Sequence, residues 1–241
     1  MRRLRIFAGP NGSGKSSLYK QLYKQADVRI NLGHYLNPDD LHQQVSQSLR
    51  LSLADFGVVA KQSEWREFWT KHGLKEKAPL LHGSRIEKNT LLFNDKPKSY
   101  EAAILSDFLR HQLLETEQTF SFETVFSHPS KLEFIKKANA RNYKCYLYFA
   151  AVSSPEISVD RVQQRKLQGG HGVPEDKIRK RYFLTLQNLL PAMRLSYRAY
   201  LFDNSQTMKL VAEMTTDKML RPASEHIPIW LEENVIDKLE L

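Results

Sequence analysis

Gly9-Pro10-Asn11-Gly12-Ser13-Gly14-Lys15-Ser16-Ser17 fills the pattern G-x-x-x-x-G-K-[ST]. The apolar-leaning run Leu4-Arg5-Ile6-Phe7-Ala8 precedes it, and Leu18-Tyr19-Lys20-Gln21-Leu22-Tyr23 follows with helical spacing. Strand, glycine loop and helix therefore come in the order a phosphate-binding loop needs. Glycines let backbone N–H groups turn inward around phosphate oxygens, and a helix starting at Lys15 adds the positive end of its dipole. Gly9, Asn11, Gly12, Ser13, Gly14, Lys15, Ser16 and Ser17 are thus expected to bind nucleotide. Lys15 is expected to reach the β- and γ-phosphates, and the Ser16 hydroxyl to ligate magnesium.

Outward from this loop, the bulk composition sets bounds. The chain has 241 residues, enough for one large domain, and its 41% hydrophobic and 26% charged residues are ordinary for a globular protein. No apolar run approaches the roughly 20 residues of a membrane span, and Met1-Arg2-Arg3 leads straight into the first strand, which predicts a cytoplasmic protein without a membrane partner. The single cysteine, Cys145, sits in an apolar run and reads as a buried, inert thiol. The net charge of +9 suits polyanionic partners. With no run of basic residues interleaved with aromatics and no helix-turn-helix or zinc-finger spacing, small polyanions such as nucleotides are favoured over nucleic acid.

Further along, Val28 to Leu36 reads as a second strand with its approach loop. Asn37 then caps a helix with Pro38 in its first turn, expected to run to about Leu53. Asp39 and Asp40 complement its dipole and follow a strand's carboxyl end, where α/β sheets bind ligands. Trp65, Phe68 and Trp69 mark the packing face of another helix, and Gly83 to Lys98 is polar and turn-rich. A helix over Tyr100 to Glu115 precedes a strand, Thr119 to Phe126. Glu123 near that strand's end is a lone carboxylate in an apolar run, which favours a catalytic or magnesium-linked role.

Ser130 to Asn142 is an amphipathic helix, and Lys144 to Val152 an apolar strand of the kind covered on both faces. Ser153 and Glu156 have capping-box spacing at the start of a helix carrying Arg161 and Arg165. After Gln168-Gly169-Gly170-His171-Gly172-Val173-Pro174, a long helix carries Arg179, Lys180 and Arg181 beside an apolar stripe. Two helices about a glycine-rich hinge, with arginines on both arms, suit a lid over phosphates. His171 is expected to shape that hinge or to donate to phosphate. A short strand at Ala199 to Phe202, an alternating strand through Met208, Leu210, Ala212 and Met214, and a helix over Pro228 to Leu239 close the chain. This succession predicts an α/β fold with a mostly parallel sheet flanked by helices in three layers.

The chain resembles the zeta-toxin family of P-loop kinases through the phosphate loop, Asn37-Pro38-Asp39, Ser121-Phe122-Glu123-Thr124, the stretch Arg161 to Tyr182, and Asp203-Asn204-Ser205. The resemblance spans about 1 to 40 and 99 to 206. It implies a single P-loop kinase domain over 1–241, with a helical and loop insertion at about 43–98 and a lid-like segment at about 156–195. It also implies transfer of the ATP γ-phosphate, with Mg²⁺, to a hydroxyl of a small molecule, a UDP-sugar such as UDP-N-acetylglucosamine, and a small antitoxin protein as partner. Asp39 looks like the carboxylate that accepts the hydroxyl proton, and is expected to face the Lys15 loop while Asp40 faces solvent. Glu123 and Thr124 resemble the pair that contacts substrate, Arg165 and Arg181 the lid arginines, and Asn204 a residue of the adenine-side loop. Residues 43 to 98 match nothing in the family's substrate-binding elements. The alternative is a P-loop ATPase or nucleotide-dependent switch that interacts with protein or nucleic acid and has no small-molecule acceptor.

Overall fold

The computed structural model describes residues 1–25, 31–170 and 172–239. Within them the chain forms two compact units, one made of residues 1–31 and 123–241, the other of residues 32–122.

The first unit is built on a sheet. Strand β1 (Arg3–Ala8) pairs in parallel with β7 (Lys144–Ala151), and β7 in parallel with β8 (Arg198–Asp203). Strands β9 (Lys209–Met214) and β10 (Leu220–Pro222) continue the sheet antiparallel. Leu4, Ile6, Cys145, Leu147, Phe149, Ala199 and Leu201 are fully buried and make its core. Phe7, Tyr148 and Tyr200 sit on register-paired positions of three adjacent strands, and their rings stack at 5.1 Å centroid spacing in both pairs. Helix α1 (Lys15–Gln25) meets this ladder through Tyr19, edge-on to Phe7 at 5.3 Å. Helices α5 (Ser130–Ala140) and α8 (Leu189–Leu195) pack on β7 and on each other. Burial pushes the Cys145 thiol up to about 12, as an inert thiol requires.

Helices α6 (Pro155–Leu167) and α7 (Glu175–Gln187) pack together through Val159, Val162 and Ile178. The cap of α6 is Ser154, whose side chain accepts from the Ile157 N–H at 3.5 Å, and not Ser153. Pro155 fixes the first helical residue one position later than the capping-box spacing suggests. Gly169 and Gly170 close α6. Gly169 has φ +84°, its N–H reaches the Lys166 carbonyl at 3.0 Å, and the Gly170 N–H reaches the Arg165 carbonyl at 2.9 Å. These two bonds are a Schellman stop, which accounts for the glycine pair locally. His171 lies outside the described residues. The expected closing helix is instead a single turn, α9 (Ile229–Leu231), followed by a wider π-type turn over Glu232–Ile236. Trp230, Leu231 and Val235 are buried as expected, while Leu239 is exposed. In β9 an irregularity opposite Leu201 and Phe202 breaks the alternation, so Ala212 and Met214 are buried but Leu210 is at the surface.

In the second unit β2 (His34–Leu36) pairs in parallel with β6 (Phe120–Thr124), whose last two residues carry the chain back into the first unit. Of the strand expected over Val28 to Leu36, residues 28–30 lie outside the described residues. Helix α2 (Pro38–Ser48) starts as expected, with the Asn37 side chain accepting from the Asp39 N–H at 2.9 Å. It stops well short of Leu53, because Leu49 turns left-handed at φ +55° and Arg50–Ser52 becomes strand β3. With β4 (Arg85–Glu87) and β5 (Thr90–Leu92), β3 forms an antiparallel sheet in the order β3-β5-β4. The turn-rich stretch Gly83 to Lys98 is therefore largely a hairpin. Helix α3 (Gln62–Lys71) buries Trp65 and Trp69 and leaves Phe68 half-buried against α4 (Ser99–Glu115), edge-on to Phe108. No described helix is long and apolar enough to cross a membrane.

Candidate active site

The first unit carries a complete phosphate loop. β1 ends at Ala8, α1 begins at Lys15, and Gly9, Gly12 and Gly14 have φ of +147°, +70° and +92°. At all three an added Cβ would force a neighbour to shift. A Cβ on Gly9 would lie 2.0 Å from the Ala150 carbonyl oxygen at the end of β7, and one on Gly14 would lie 2.4 Å from Asn204 Nδ2. A Cβ on Gly12 would lie 2.9 Å from the Ser158 carbonyl oxygen of α6. The loop is thus pressed between β7, α6 and the segment after β8.

At the head of α1, Lys15 Nζ donates to the Pro10 carbonyl at 2.7 Å, which draws the ammonium over its own loop. The first turn of α1 holds no acidic residue, so nothing in that turn offsets the helix's positive end. Ser16 Oγ donates to Glu123 Oε1 at 3.0 Å. Glu123 is only 7% exposed, so its carboxylate is held beside the loop at the end of β6. Thr124 Oγ1 accepts from the Phe126 N–H at 3.2 Å and closes a tight corner in which Phe126 has φ +64°. Thr185 Oγ1 of α7 donates to the Val125 carbonyl at 2.7 Å, and Asn188 Nδ2 to the Phe126 carbonyl at 3.0 Å. A bulky residue in left-handed conformation needs such support.

Asn204 Nδ2 donates to the Ser13 carbonyl at 3.0 Å, and the Asn204 N–H to the Ala151 carbonyl at 2.8 Å. Its neighbours Asp203 and Ser205 hydrogen-bond each other, Trp230 and the start of α6, and Arg161 Nη2 donates to the Ser205 carbonyl at 3.2 Å. Arg179 is committed elsewhere: it is ion-paired with Glu175 at 2.9 Å and with Glu156 of α6. These partners raise its pKa, the Glu156 hydrogen bond foremost. Arg165 is exposed in the last turn of α6, and Arg181 is half-buried on α7. Between Arg179 and Thr185, the Tyr182 hydroxyl donates to the Val152 carbonyl at 2.8 Å. Burial, and then the charge of Asp203, raise that phenol's pKa. Asp39 is exposed in the first turn of α2, in the second unit, as is Asp40.

The structure therefore gathers Gly9 to Ser16, Glu123 and Asn204 in the first unit. The resemblance already points to Asp203-Asn204-Ser205, but Trp230, Thr185 and Asn188 carry no sequence signal as site-shaping residues. Asp203 and Ser205 flank Asn204 in the chain, but the bonds that recruit Trp230, Thr185 and Asn188 join residues 27 to 62 positions apart and leave no periodic signal.

A phosphate loop joining a strand and a helix of a mostly parallel, helix-flanked sheet defines a P-loop protein of the α/β class. Residues 99–212 match the family model described as Zeta toxin. That stretch, a little under half of the chain, is similar to zeta toxins. No curated protein sequence matches it. Among solved structures, the AvrRxo1-ORF1:AvrRxo1-ORF2 complex with sulphate ions aligns at TM-score 0.57 and 15% identity, covering 93% of this chain and 62% of that one. The same complex with ATP aligns at TM-score 0.57 and 14% identity, over 92% and 61%. A structure from the PezAT chromosomal toxin-antitoxin system of Streptococcus pneumoniae aligns at TM-score 0.51 and 12% identity, over 98% and 79%. The chain thus spans less than two thirds of the length of the AvrRxo1 chain it resembles.

Proposed function

We propose that this chain is an ATP-dependent kinase of zeta-toxin type, with a hydroxyl of a UDP-sugar such as UDP-N-acetylglucosamine as acceptor. The observation that carries the reading is the Ser16–Glu123 pair at 3.0 Å, set at the head of α1 beside Lys15. Two hard oxygens there fit a magnesium ion, which favours oxygen ligands and binds through few protein groups plus substrate phosphates. Ser16 would ligate the ion and Glu123 would hold Ser16 in place. Bound magnesium neutralises phosphate charge.

The remaining roles fall to the chain. The loop N–H groups and Lys15 hold the β- and γ-phosphates. Asp39 takes the proton from the acceptor hydroxyl as its oxygen bonds to the γ-phosphorus. The bond from that phosphorus to the β-phosphate's bridging oxygen breaks, and ADP leaves. Arg165 and Arg181 balance the charge spread over the transferring group. Glu123 and Thr124 border the acceptor. The single-domain plan, with its insertion at about 43–98 and lid at about 156–195, belongs to the same reading. So does a small antitoxin as protein partner, a proposal supported by the toxin-antitoxin system of one structural relative.

Incubating the purified protein with γ-labelled ATP and a panel of UDP-sugars tests this. Label on a sugar nucleotide, lost in Asp39→Asn, is the expected result. Release of free phosphate alone, unchanged in Asp39→Asn, would replace the kinase with a nucleotide-driven switch.

A further inference from the structure

Asp203, Ser205 and Trp230 form a hydrogen-bonded circuit at the end of β8. Asp203 Oδ1 accepts from Trp230 Nε1 at 2.9 Å and from Ser205 Oγ at 2.8 Å, while Oδ2 accepts from the Ser205 N–H at 3.1 Å. Ser205 Oγ in turn accepts from the Ser153 N–H at 2.9 Å, and the Ser205 carbonyl accepts from Arg161 at 3.2 Å. The residue enclosed by this circuit is Asn204, and its two bonds run to Ser13 in the phosphate loop and to Ala151 at the end of β7.

Four further features make the circuit more than core packing. Trp230 is 2% exposed, and its indole N–H is spent on a carboxylate where a purely apolar ring would fill the same space. Asp203 accepts three hydrogen bonds, so its conformation is fixed, and with it the path of the chain into Asn204. Asn204 Nδ2 bonds the Ser13 carbonyl at 3.0 Å and lies against Gly14, where an added Cβ would meet it at 2.4 Å, so two adjacent loop residues rest on this side chain. Ser13 is fully buried, which leaves the loop little room to relax independently.

We propose that Trp230, Asp203 and Ser205 are positioning residues for diphosphate binding: they hold Asn204, and Asn204 holds the phosphate loop in its phosphate-accepting shape. This rests on the nucleotide-binding reading above and extends it to a residue at the far end of the chain. Because the circuit acts through the loop backbone, it governs binding of the phosphates themselves and not of the base.

Calorimetric titration with ADP, and separately with inorganic pyrophosphate, tests the assignment on the full chain. Trp230→Phe keeps an aromatic ring near Phe149 and removes the N–H together with part of the ring's volume; Ser205→Ala opens the circuit from the other side without touching that packing, and Ser205→Thr restores a hydroxyl. Trp230→Phe removes one charge-assisted hydrogen bond to Asp203, and Ser205→Ala removes another together with the bond from the Ser153 N–H; each variant is expected to weaken both ligands by about tenfold. Ser205→Thr is expected to recover wild-type affinity. Wild-type tryptophan emission should change on saturation with pyrophosphate, and Trp230→Phe should lose that change. Unaltered affinity in both variants, within twofold, overturns the proposal while leaving nucleotide binding intact. Weakening confined to ADP also overturns it, since the circuit would then touch the nucleoside. A wild-type protein that binds neither ligand removes the nucleotide reading and this proposal together, and that failure shows before any variant is made.

Discussion

Gly9 has no room for a side chain, since its Cβ would fall 2.0 Å from a backbone oxygen that β7 cannot withdraw. Gly9→Ala is therefore expected to destabilise the fold by about 1–3 kcal/mol and to abolish nucleotide binding, read by thermal melting with and without ADP. Glu123→Gln is a milder change, close in shape but uncharged. Its expected result is a near-native melt and a loss of at least about tenfold in magnesium-dependent turnover, measured across a magnesium titration. The arginines separate in the same way. Arg179 is partly exposed and ion-paired on both sides, so Arg179→Ala is expected to leave the melting temperature nearly unchanged and turnover unaltered. Arg181→Ala is expected to lower turnover by about three orders of magnitude in single-turnover kinetics, with little change in ATP affinity. Equal effects at 179 and 181 would remove the charge-balancing role from Arg181.

At the scale of elements, Asn37 both caps α2 and fixes the turn that carries Asp39. Asn37→Ala is expected to cost about 1 kcal/mol by chemical denaturation. Asn37→Ser, which restores an acceptor, should recover most of it. The cap was legible because Asn-Pro-Asp-Asp is a local signal, as were β1, α1, α4 and β7, whose patterns are long and regular. The end of α2 was not. Leu49 adopts a left-handed conformation without a glycine to announce it, and the strand that follows is three residues long. The hairpin of β4 and β5 was hidden for a similar reason: its turn residues Lys88 and Asn89 take positive φ, and its strands are too short to show alternation. For the site, the motif marked the glycine loop between β1 and α1, and Glu123 stood out as a lone carboxylate in apolar surroundings. The supports of the loop escaped because a hydrogen bond between distant residues has no period.

At the scale of the whole molecule, buried acids that keep their protons set the alkaline limit. Cys145, Tyr148, Tyr182 and Tyr200 all have pKa values raised by burial, Cys145 to about 12. In the unfolded chain the thiol ionises near pH 8.5, so above that pH the unfolded state holds fewer protons than the native state, and stability falls as pH rises. The thiol's share is about 1.4 kcal/mol per pH unit between roughly pH 9 and 12. Denaturation midpoints measured over that range should decline, and less steeply in Cys145→Ala. The first unit is also discontinuous, with the second unit's residues 32–122 between its two segments. Ser13 and Asn204 stand 191 residues apart, and Trp230 later still. During synthesis the motif at Gly9 thus emerges well before β7, β8 and Asn204, and waits for them before it has a shape. A nascent chain carries the loop's sequence for 191 residues before Asn204 is made, so the loop can take its shape only after the whole of the second unit has been synthesised.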